Sequence, residues 1–254
     1  MPSGMAVALL FLVMKKTSTI LAIGSGLLFS QAQAEIESEF HVGYNSQYIF
    51  RGLDLGDDAY EYGLDLAGSC DCGLDWSAGL WSISPDNSDG NIDELDIYAA
   101  VSKDFGGAAV AVGFTAYTYD TSAPDDAEVF LSISSEFSGG FEGGVTAYFG
   151  TDGIFQQQIL LEGSLGYTHE ISDTITASVG LTYGYIADDG LGGYATSDGK
   201  AYFIASLGLD VALSDQITFS PYVSYVDAYA KNLAATSAGV EDGAVAGAMI
   251  SFSF

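Results

Sequence analysis

Residues 39–52 alternate apolar and polar side chains, with Phe40 and Val42 on one side of the pattern and His41 on the other. An alternation of period two is typical of an amphipathic β-strand, because successive side chains of a strand point to opposite faces. Arg51, the only arginine of the chain, ends the polar side of this segment. The function of the strand therefore depends on what its polar face meets.

The same alternation recurs in eleven further segments between residue 60 and the C-terminus. Most of the twelve segments have about the 9–11 residues that a tilted strand needs to cross a bilayer. No helical period of comparable length competes with them, and no apolar run after residue 34 reaches the ~20 residues of a membrane-spanning helix. The eleven segments are 60–66, 74–80, 94–102, 110–116, 128–137, 141–149, 158–168, 175–185, 203–211, 217–225 and 244–254.

The connections between these segments alternate in length. Every second connection is a tight turn rich in Gly, Asp and Ser, such as 70–73 and 138–140, whereas others, such as 187–201 and 227–243, are longer. We expect residues 53–59 to form a connection of intermediate length. Short periplasmic turns and longer extracellular loops are typical of bacterial outer-membrane barrels. The fold class that we predict is all-β, a transmembrane antiparallel up-and-down β-barrel of about 12 strands.

Aromatic side chains on the apolar faces form two groups, one near each end of the predicted strands. Two such groups are typical of the aromatic girdles at the membrane interfaces of a barrel. The alternative is a soluble β-sandwich whose aromatic side chains fill the core. The predicted outer group is Tyr44, Tyr48, Phe50, Tyr60, Tyr62, Tyr183, Tyr185 and Tyr225, and the inner group is Phe137, Phe141, Tyr167, Phe203 and Phe254.

Both ends of the chain carry features of export to the outer membrane of a Gram-negative bacterium. A basic pair at residues 15–16, an apolar run and the Ala-Gln-Ala sequence at 32–34 predict a signal peptide over 1–34. Residues 1–13 would be an extension from an upstream start, and a membrane anchor is the alternative. The mature domain is then 35–254. The terminal Phe254 resembles the sorting signal that outer-membrane proteins present to the barrel-assembly machinery.

The predicted mature domain is strongly acidic. Four basic residues remain against 34 acidic ones, which gives a net charge of −30. Binding to nucleic acid relies on basic patches that neutralise phosphates, so no nucleic-acid partner is expected. Abundant tyrosine, phenylalanine and glycine distinguish the chain from disordered acidic sequences, which lack aromatic residues.

The first segment resembles a signature of a known family. Residues 46–52, Ser-Gln-Tyr-Ile-Phe-Arg-Gly, resemble the Tyr-x-Phe-Arg-Gly signature of the TorF-type porins of Gram-negative bacteria, and residues 79–82 and 94–98 resemble further segments of that family. The resemblance covers roughly residues 40–105. It implies an outer-membrane barrel with passive transport and implies no particular substrate. The acidic composition and the Cys70/Cys72 pair depart from the family pattern.

If the apolar faces meet lipid, the opposite faces line a lumen that carries ten carboxylates and one guanidinium. Rings of acidic side chains favour cations and repel anions. Acidic residues of the outer connections, such as Asp57, Asp58, Asp86 and Asp126, would add negative potential at the mouth. The candidate pore-lining residues are Arg51, Glu61, Asp65, Asp75, Glu94, Asp96, Glu128, Glu136, Glu142, Glu162 and Asp210.

An alternative is that polar side chains fill the lumen completely. Barrels of eight strands are filled by side chains, while 16–18 strands leave a wide channel, and about twelve strands fall between these cases. Glycines on the polar faces leave room and favour a narrow pore in our interpretation. These glycines are Gly43, Gly63, Gly79, Gly113, Gly144, Gly180 and Gly208.

Arg51 has two interpretations. It pairs with Glu61 or Asp65 on the neighbouring strand and locks the first hairpin, or it organises a constriction and orients a solute. We favour the structural pairing, because a charge in a restricted lumen needs a partner.

The cysteines and histidines, whose side chains could take part in catalysis or metal binding, form no recognisable catalytic or metal-binding motif. Cys70 and Cys72 lie in a predicted periplasmic turn, where an oxidising compartment favours a disulfide, although a one-residue spacer strains the ring. Metal capture by this pair is the alternative. His41 and His169 are far apart in sequence. Residues 86–91 offer oxygen ligands for Ca²⁺ but lack the closing glutamate of an EF-hand, which favours a solvated loop.

These patterns predict a porin-like channel for the passive diffusion of small cationic or neutral solutes. The alternative is a plugged outer-membrane barrel with a structural or adhesive role through its acidic surface loops. An enzyme would need a clustered nucleophile and base, which the sequence does not offer, so no catalytic residue and no cofactor are expected. Outer-membrane lipid is the expected surround, and a homo-oligomer is compatible with the sequence.

Overall fold

The computed structural model describes residues 36–86, 93–120, 125–190, 201–228 and 243–254. The predicted signal peptide, residues 1–34, lies outside these residues. So does most of the segment 86–91, which was considered as a Ca²⁺-binding loop. No helix among the described residues is long and apolar enough to cross a membrane. The strands are β1 Glu37–Phe50, β2 Leu53–Ser69, β3 Asp75–Asp86, β4 Glu94–Asp104, β5 Ala109–Tyr119, β6 Asp126–Phe137, β7 Phe141–Asp152, β8 Ile159–Ser172, β9 Ile175–Asp188, β10 Ala201–Ala212, β11 Ile217–Ala228 and β12 Gly243–Ser253.

These twelve strands form one closed antiparallel barrel in the described part of the chain. Each strand pairs with its neighbours in sequence, and β1 closes the barrel against β12 in a register that runs from Glu39↔Ser253 to Asn45↔Gly247. Closure leaves no unpaired sheet edge, which a strand surrounded by lipid requires. The predicted fold class is therefore confirmed.

The alternation of each strand separates an apolar outer face from a polar inner face. Along β4, Leu95 and Ile97 are 40% and 43% exposed, while Glu94 and Asp96 between them are each 2% exposed. The same contrast recurs on the other strands, because side-chain direction has a period of two. The outer surface is therefore an apolar band, and polar residues lie inside.

The connections sort by length as predicted, with one exception. At one end of the barrel, which we call the inner end, two to five residues join consecutive strands. At the other, outer end, the connections include 189–200 and 229–242. The exception is the first outer connection, in which only Arg51 and Gly52 join β1 to β2. The prediction of a connection at 53–59 was wrong, since these residues belong to β2.

The predicted aromatic girdles are present, apart from three residues. Tyr60 and Phe137 illustrate the two groups, with outward side chains that are 63% and 55% exposed near the outer and inner ends. Tyr48 and Phe50 were predicted to face lipid, but they are 4% and 1% exposed inside the barrel. Phe203 was predicted at the inner end, but it lies near the outer end of β10, where it pairs with Asp227.

Candidate functional site

The structure places all ten predicted carboxylates on inward-facing positions. They lie at different depths on seven strands, so they share one inner surface without forming a single compact cluster. Five are buried, namely Glu61, Asp65, Glu94, Asp96 and Glu128. The others, Asp75, Glu136, Glu142, Glu162 and Asp210, are more accessible.

The first hairpin bends into the lumen near its outer end. β1 and β2 pair regularly from Glu37↔Ala67 to Asn45↔Ala59, and the register then shifts at a bulge between Gln47 and Ile49. The extra residue lies on β2, where three steps from Asp54 to Asp57 face two steps on β1, and a bulge bends the strand that carries it. Residues 48–56, which we call the hairpin tip, consequently lie inside the barrel. Its apolar side chains Tyr48, Ile49, Phe50, Leu53 and Leu55 are all at most 8% exposed.

Arg51 forms the apex of the hairpin tip. Both central residues of the turn have positive φ, 48° at Arg51 and 78° at Gly52, as a two-residue turn of type I′ requires. A non-glycine residue rarely adopts this conformation, so contacts of the side chain must stabilise it.

These contacts are an ion pair and a set of aromatic faces. Nη2 of Arg51 donates to both carboxylate oxygens of Glu128, at 2.8 and 3.0 Å. The guanidinium carbon lies 4.5, 5.0 and 5.3 Å from the ring centres of Phe50, Tyr148 and Phe155, which are cation–π distances. The guanidinium keeps its charge at this site, because arginine does not lose its proton in proteins.

The partner of Arg51 differs from the prediction. Glu61 and Asp65 lie on β2, next to the hairpin, whereas Glu128 lies on β6, on another part of the wall. A partner on the adjacent strand would only have locked the hairpin to itself. The observed pair instead ties the apex of the hairpin tip to a distant strand across the lumen.

Apolar contacts hold both faces of the hairpin tip. One cluster joins Tyr48 and Phe50 to Trp81 of β3 and Tyr117 of β5. A second cluster joins Ile49 to side chains of the opposite wall, namely Leu160, Tyr202, Ile204, Val226 and Val245. The hairpin tip therefore spans the lumen between walls that are far apart in the barrel.

A 3₁₀ turn after β7, Gly153–Phe155, completes the packing of the hairpin tip. The buried Asp126 accepts hydrogen bonds from the backbone N–H groups of Ile154 and Phe155, at 2.5 and 3.3 Å. This anchor places the Phe155 ring 6.1 Å from the Phe50 ring. Asp126 was predicted only as part of an acidic outer connection, and the structure gives it this structural contact.

Neutral donors, rather than cations, hold the buried carboxylates Glu61 and Glu94. Tyr48 donates to Glu94 at 3.0 Å, and Trp81 donates to Glu61 at 3.0 Å. Oε1 of Glu94 and Oδ1 of Asp96 are buried and have no hydrogen-bond partner among the described residues. Apart from Arg51, no permanent cation faces these groups in the described part of the lumen, so its charge is negative.

His41 adds the one other basic group on the inner face of the described residues. Its Nδ1 lies 3.4 Å from Oδ2 of Asp65, and its side chain is 1% exposed. Tyr98 donates to the same carboxylate. His41 thus belongs to a small polar cluster in the wall of the barrel.

The inner half of the lumen is lined differently from the outer half. Its inward positions carry small hydroxyl side chains, among them Ser132, Ser178 and Ser251. Ser220 donates to Asp210 at 2.8 Å, which satisfies this carboxylate within the wall. Short side chains reach only a little way toward the axis, so this half has no counterpart of the hairpin tip.

Four of the seven predicted inward glycines, namely Gly43, Gly63, Gly79 and Gly113, do not leave empty space as predicted. A methyl group at Gly79 would collide with the Tyr98 ring, and one at Gly63 would collide with His41. A large side chain from the adjacent strand therefore lies flat over each of these glycines. The arrangement keeps such side chains against the wall instead of across the lumen.

Three groups of site residues were missed by sequence reasoning: the hairpin tip, the 3₁₀ turn and the apolar patches that receive them. One signal was present in the sequence. Tyr48, Ile49 and Phe50 are three consecutive apolar residues that interrupt the alternation. Such a run is typical of a strand that is buried on both faces.

A comparison with known protein families assigns this chain to one of them. The sequence profile of the Gcw_chp family, described as bacterial proteins of unknown function, matches residues 30–252. The chain belongs to the Gcw_chp family. No curated protein matches its sequence.

Two porins and an outer-membrane channel are among the solved structures similar to this Gcw_chp barrel. The NanC porin shares 15% identity over 85% of this chain and 98% of its own, with a TM-score of 0.53. An outer-membrane channel from Pseudomonas putida F1 shares 10% identity over 89% and 97%, with a TM-score of 0.53. The KdgM porin in complex with disordered oligogalacturonate shares 10% identity over 86% and 99%, with a TM-score of 0.50. At such identities the likeness shows the fold.

The apolar outer band and this fold together locate the Gcw_chp barrel in the outer membrane of a Gram-negative bacterium. A continuous apolar surface on a closed barrel needs a lipid surround. The short turns then lie on the periplasmic side and the long connections on the extracellular side.

The remaining predicted groups lie away from the lumen of the Gcw_chp barrel. Cys70 and Cys72 are joined by a disulfide in the turn between β2 and β3. His169 is exposed near the inner end of β8, where it stacks on Tyr167. No group of three or more His, Cys, Asp or Glu side chains is arranged to hold a metal ion within the described residues.

Proposed function

We propose that the barrel is a non-enzymatic porin-like channel for the passive diffusion of small solutes, with a preference for cations over anions. The observation that supports it is the inner surface, where ten carboxylates face one arginine. Acidic rings in a restricted aqueous path concentrate cations and repel anions. Neutral solutes small enough to pass experience no such barrier.

The solutes of similar channels do not transfer to this chain. The oligogalacturonate in the KdgM complex carries one carboxylate on each sugar. An acidic lumen would repel such a polyanion. The resemblance to TorF-type porins names no substrate and stays a prediction, as do the cleavage of a signal peptide, assembly through Phe254 and a homo-oligomeric state.

Purified protein in planar lipid bilayers with a salt gradient tests the proposal. We expect discrete conductance steps and a reversal potential of the sign set by cation flow. Steps with an anion-selective reversal potential would contradict the cation preference alone. Absence of steps at every voltage would contradict passive diffusion through the wild-type barrel.

A second candidate function is a plugged barrel with a structural or adhesive role. The hairpin tip favours it, because its side chains contact walls on both sides of the lumen. Silent wild-type protein in the bilayer, combined with a fully folded barrel by circular dichroism, would support this alternative.

A further inference from the structure

We propose that the hairpin tip is the constriction of the channel, and that Arg51, held by Glu128, sets the conductance and the ion selectivity at that point. This inference rests on the proposed channel function and adds to it the element and the residue that limit passage. Its basis is the placement of a two-residue hairpin, rather than a long outer connection, inside the lumen.

The first step concerns how completely the hairpin tip crosses the lumen. The Tyr48 ring lies 5.9 Å from the Trp81 ring on β3. On the other side, Ile49 packs against Leu160 of β8 and Ile204 of β10. Because neighbouring side chains of a strand point in opposite directions, the two faces of the hairpin tip contact opposite walls at once. A solute that enters from the outer end therefore meets the hairpin tip before the acidic surface below it.

The second step concerns why the hairpin tip stays in a polar lumen. Exposure of its apolar side chains to water in the lumen would cost free energy, but the walls at this depth provide apolar partners. Trp81, Ile83 and Leu160 occupy inward positions and are each 1% exposed. Burial of this apolar area drives the docking of the hairpin tip. A wall lined only with Ser and Thr would not bind it.

The third step concerns the apex. Arg51 and Glu128 form a buried pair whose side chains are 8% and 3% exposed. Tyr117 donates to the same Glu128 carboxylate at 2.6 Å. Removing one member of a buried pair leaves the other charge uncompensated, so this pair opposes movement of the apex.

The fourth step concerns charge at the narrowest point. Arg51 is the one permanent cation on the inner face of the described residues, and it lies in the constriction rather than in the wide inner half. A fixed charge affects ion flow most where the path is narrowest and least screened. Loss of Arg51 should therefore increase cation preference, although a change of one charge among many would matter little elsewhere.

The test compares the wild-type chain with a tip-shortened variant in planar bilayers. Residues 48–56 are replaced by Asn-Gly, so that the already paired Gln47 and Asp57 flank a two-residue turn. We expect a severalfold rise in single-channel conductance. Conductance in the tip-shortened variant alone would show that the hairpin tip is a plug, and would overturn both the channel function of the wild type and this inference. Equal conductance in the two proteins would overturn this inference and leave the channel function standing. Silence of both proteins would overturn the channel function and this inference with it.

Arg51→Gln tests the role of the apex with the hairpin tip still present. We expect the reversal potential to shift toward stronger cation selectivity. Lys103→Gln is the matched control, because it removes the same charge from an exposed side chain near the inner end of β4. Equal shifts in Arg51→Gln and Lys103→Gln would overturn the assignment of Arg51 as the selectivity residue.

Tryptophan fluorescence provides a readout that does not depend on current. The chain has two tryptophans, so Trp76→Phe leaves Trp81, packed against Tyr48, as the single reporter. In this background the tip-shortened variant should show Trp81 more accessible to quenching by acrylamide, with strand content unchanged by circular dichroism. Unchanged quenching in a folded variant would overturn the placement of the hairpin tip.

Discussion

The outer and inner halves of the lumen are built from the same twelve strands and filled in different ways. In the outer half, inward positions carry Trp81, Tyr117 and Leu160, which receive the hairpin tip and resemble the core of a soluble protein. In the inner half, inward positions carry mostly Ser, Thr and Gly. Only the outer half offers apolar partners, so only there can a hairpin dock. Barrel closure thus does not by itself determine whether a lumen is open.

The contrast also separates two uses of charge. In the outer half, Glu128 forms a buried ion pair with Arg51. In the inner half, Glu136 and Glu142 are cross-strand neighbours without a basic partner among the described residues. The first arrangement fixes a structural element, and the second leaves negative charge available to ions. Three predictions test this comparison.

The largest expected effect is on the packing of the outer half. Phe50→Ala removes a side chain that is 1% exposed, and truncation of a buried phenylalanine costs about 3–5 kcal/mol. The free energy of opening the hairpin tip should fall by this order, because its two apolar faces dock together. Hydrogen exchange should therefore accelerate at residues 48–56.

Phe252→Ala is the control for that experiment, since Phe252 points outward near the inner end and is 36% exposed. It should leave exchange at residues 48–56 unchanged. Equal exchange at the hairpin tip in wild type and Phe50→Ala would show that the outer half is not packed like a core.

An intermediate effect is expected on ion selectivity in the outer half. Glu94 and Asp96 are buried inward carboxylates beside the hairpin tip, where Glu94 accepts a hydrogen bond from Tyr48, and each retains an oxygen without a hydrogen-bond partner in the described structure. Glu94→Gln combined with Asp96→Asn should reduce cation selectivity, because two negative charges leave a narrow path. The reversal potential in a salt gradient measures the change. No change at all would place these two residues outside the ion path.

A smaller effect is expected in the inner half. Glu136→Gln combined with Glu142→Gln removes the same number of charges from a wider, more hydrated part of the lumen. At about 0.15 M salt the Debye length is about 8 Å, so ions screen these charges more completely. The shift in reversal potential should be smaller than that of the Glu94/Asp96 variant. A larger shift would locate the selective region in the inner half and contradict the contrast between the two halves of the lumen.

Much of the fold could be predicted because it depends on local patterns. The period-two alternation indicated the strands and assigned the ten carboxylates to one side of the sheet. Tight turns rich in Gly, Asp and Ser marked the inner end, since such residues adopt turn conformations readily. Neither pattern depends on which distant segments meet, so both are readable from single segments.

The candidate site was harder to predict. Tyr48 and Phe50 continue the apolar positions of β1, but a register shift next to Gln47 accompanies the bend of the hairpin into the lumen, where both of its faces are buried. The sequence does not mark this bulge. Arg51 pairs with Glu128, 77 residues away, while the sequence suggested partners on the adjacent strand. Both errors arise because a local pattern does not specify contacts across a closed lumen.

The sequence by itself determined a membrane barrel with an acidic inner face, because alternation and composition are properties of individual strands. The tertiary structure decided what occupies the lumen. Docking of the hairpin tip requires apolar partners from β3, β5, β8 and β10 at one depth, together with Glu128 from β6. These partners lie at the same depth only when the register of all twelve strands is set, because the register brings residues distant in sequence to the same level.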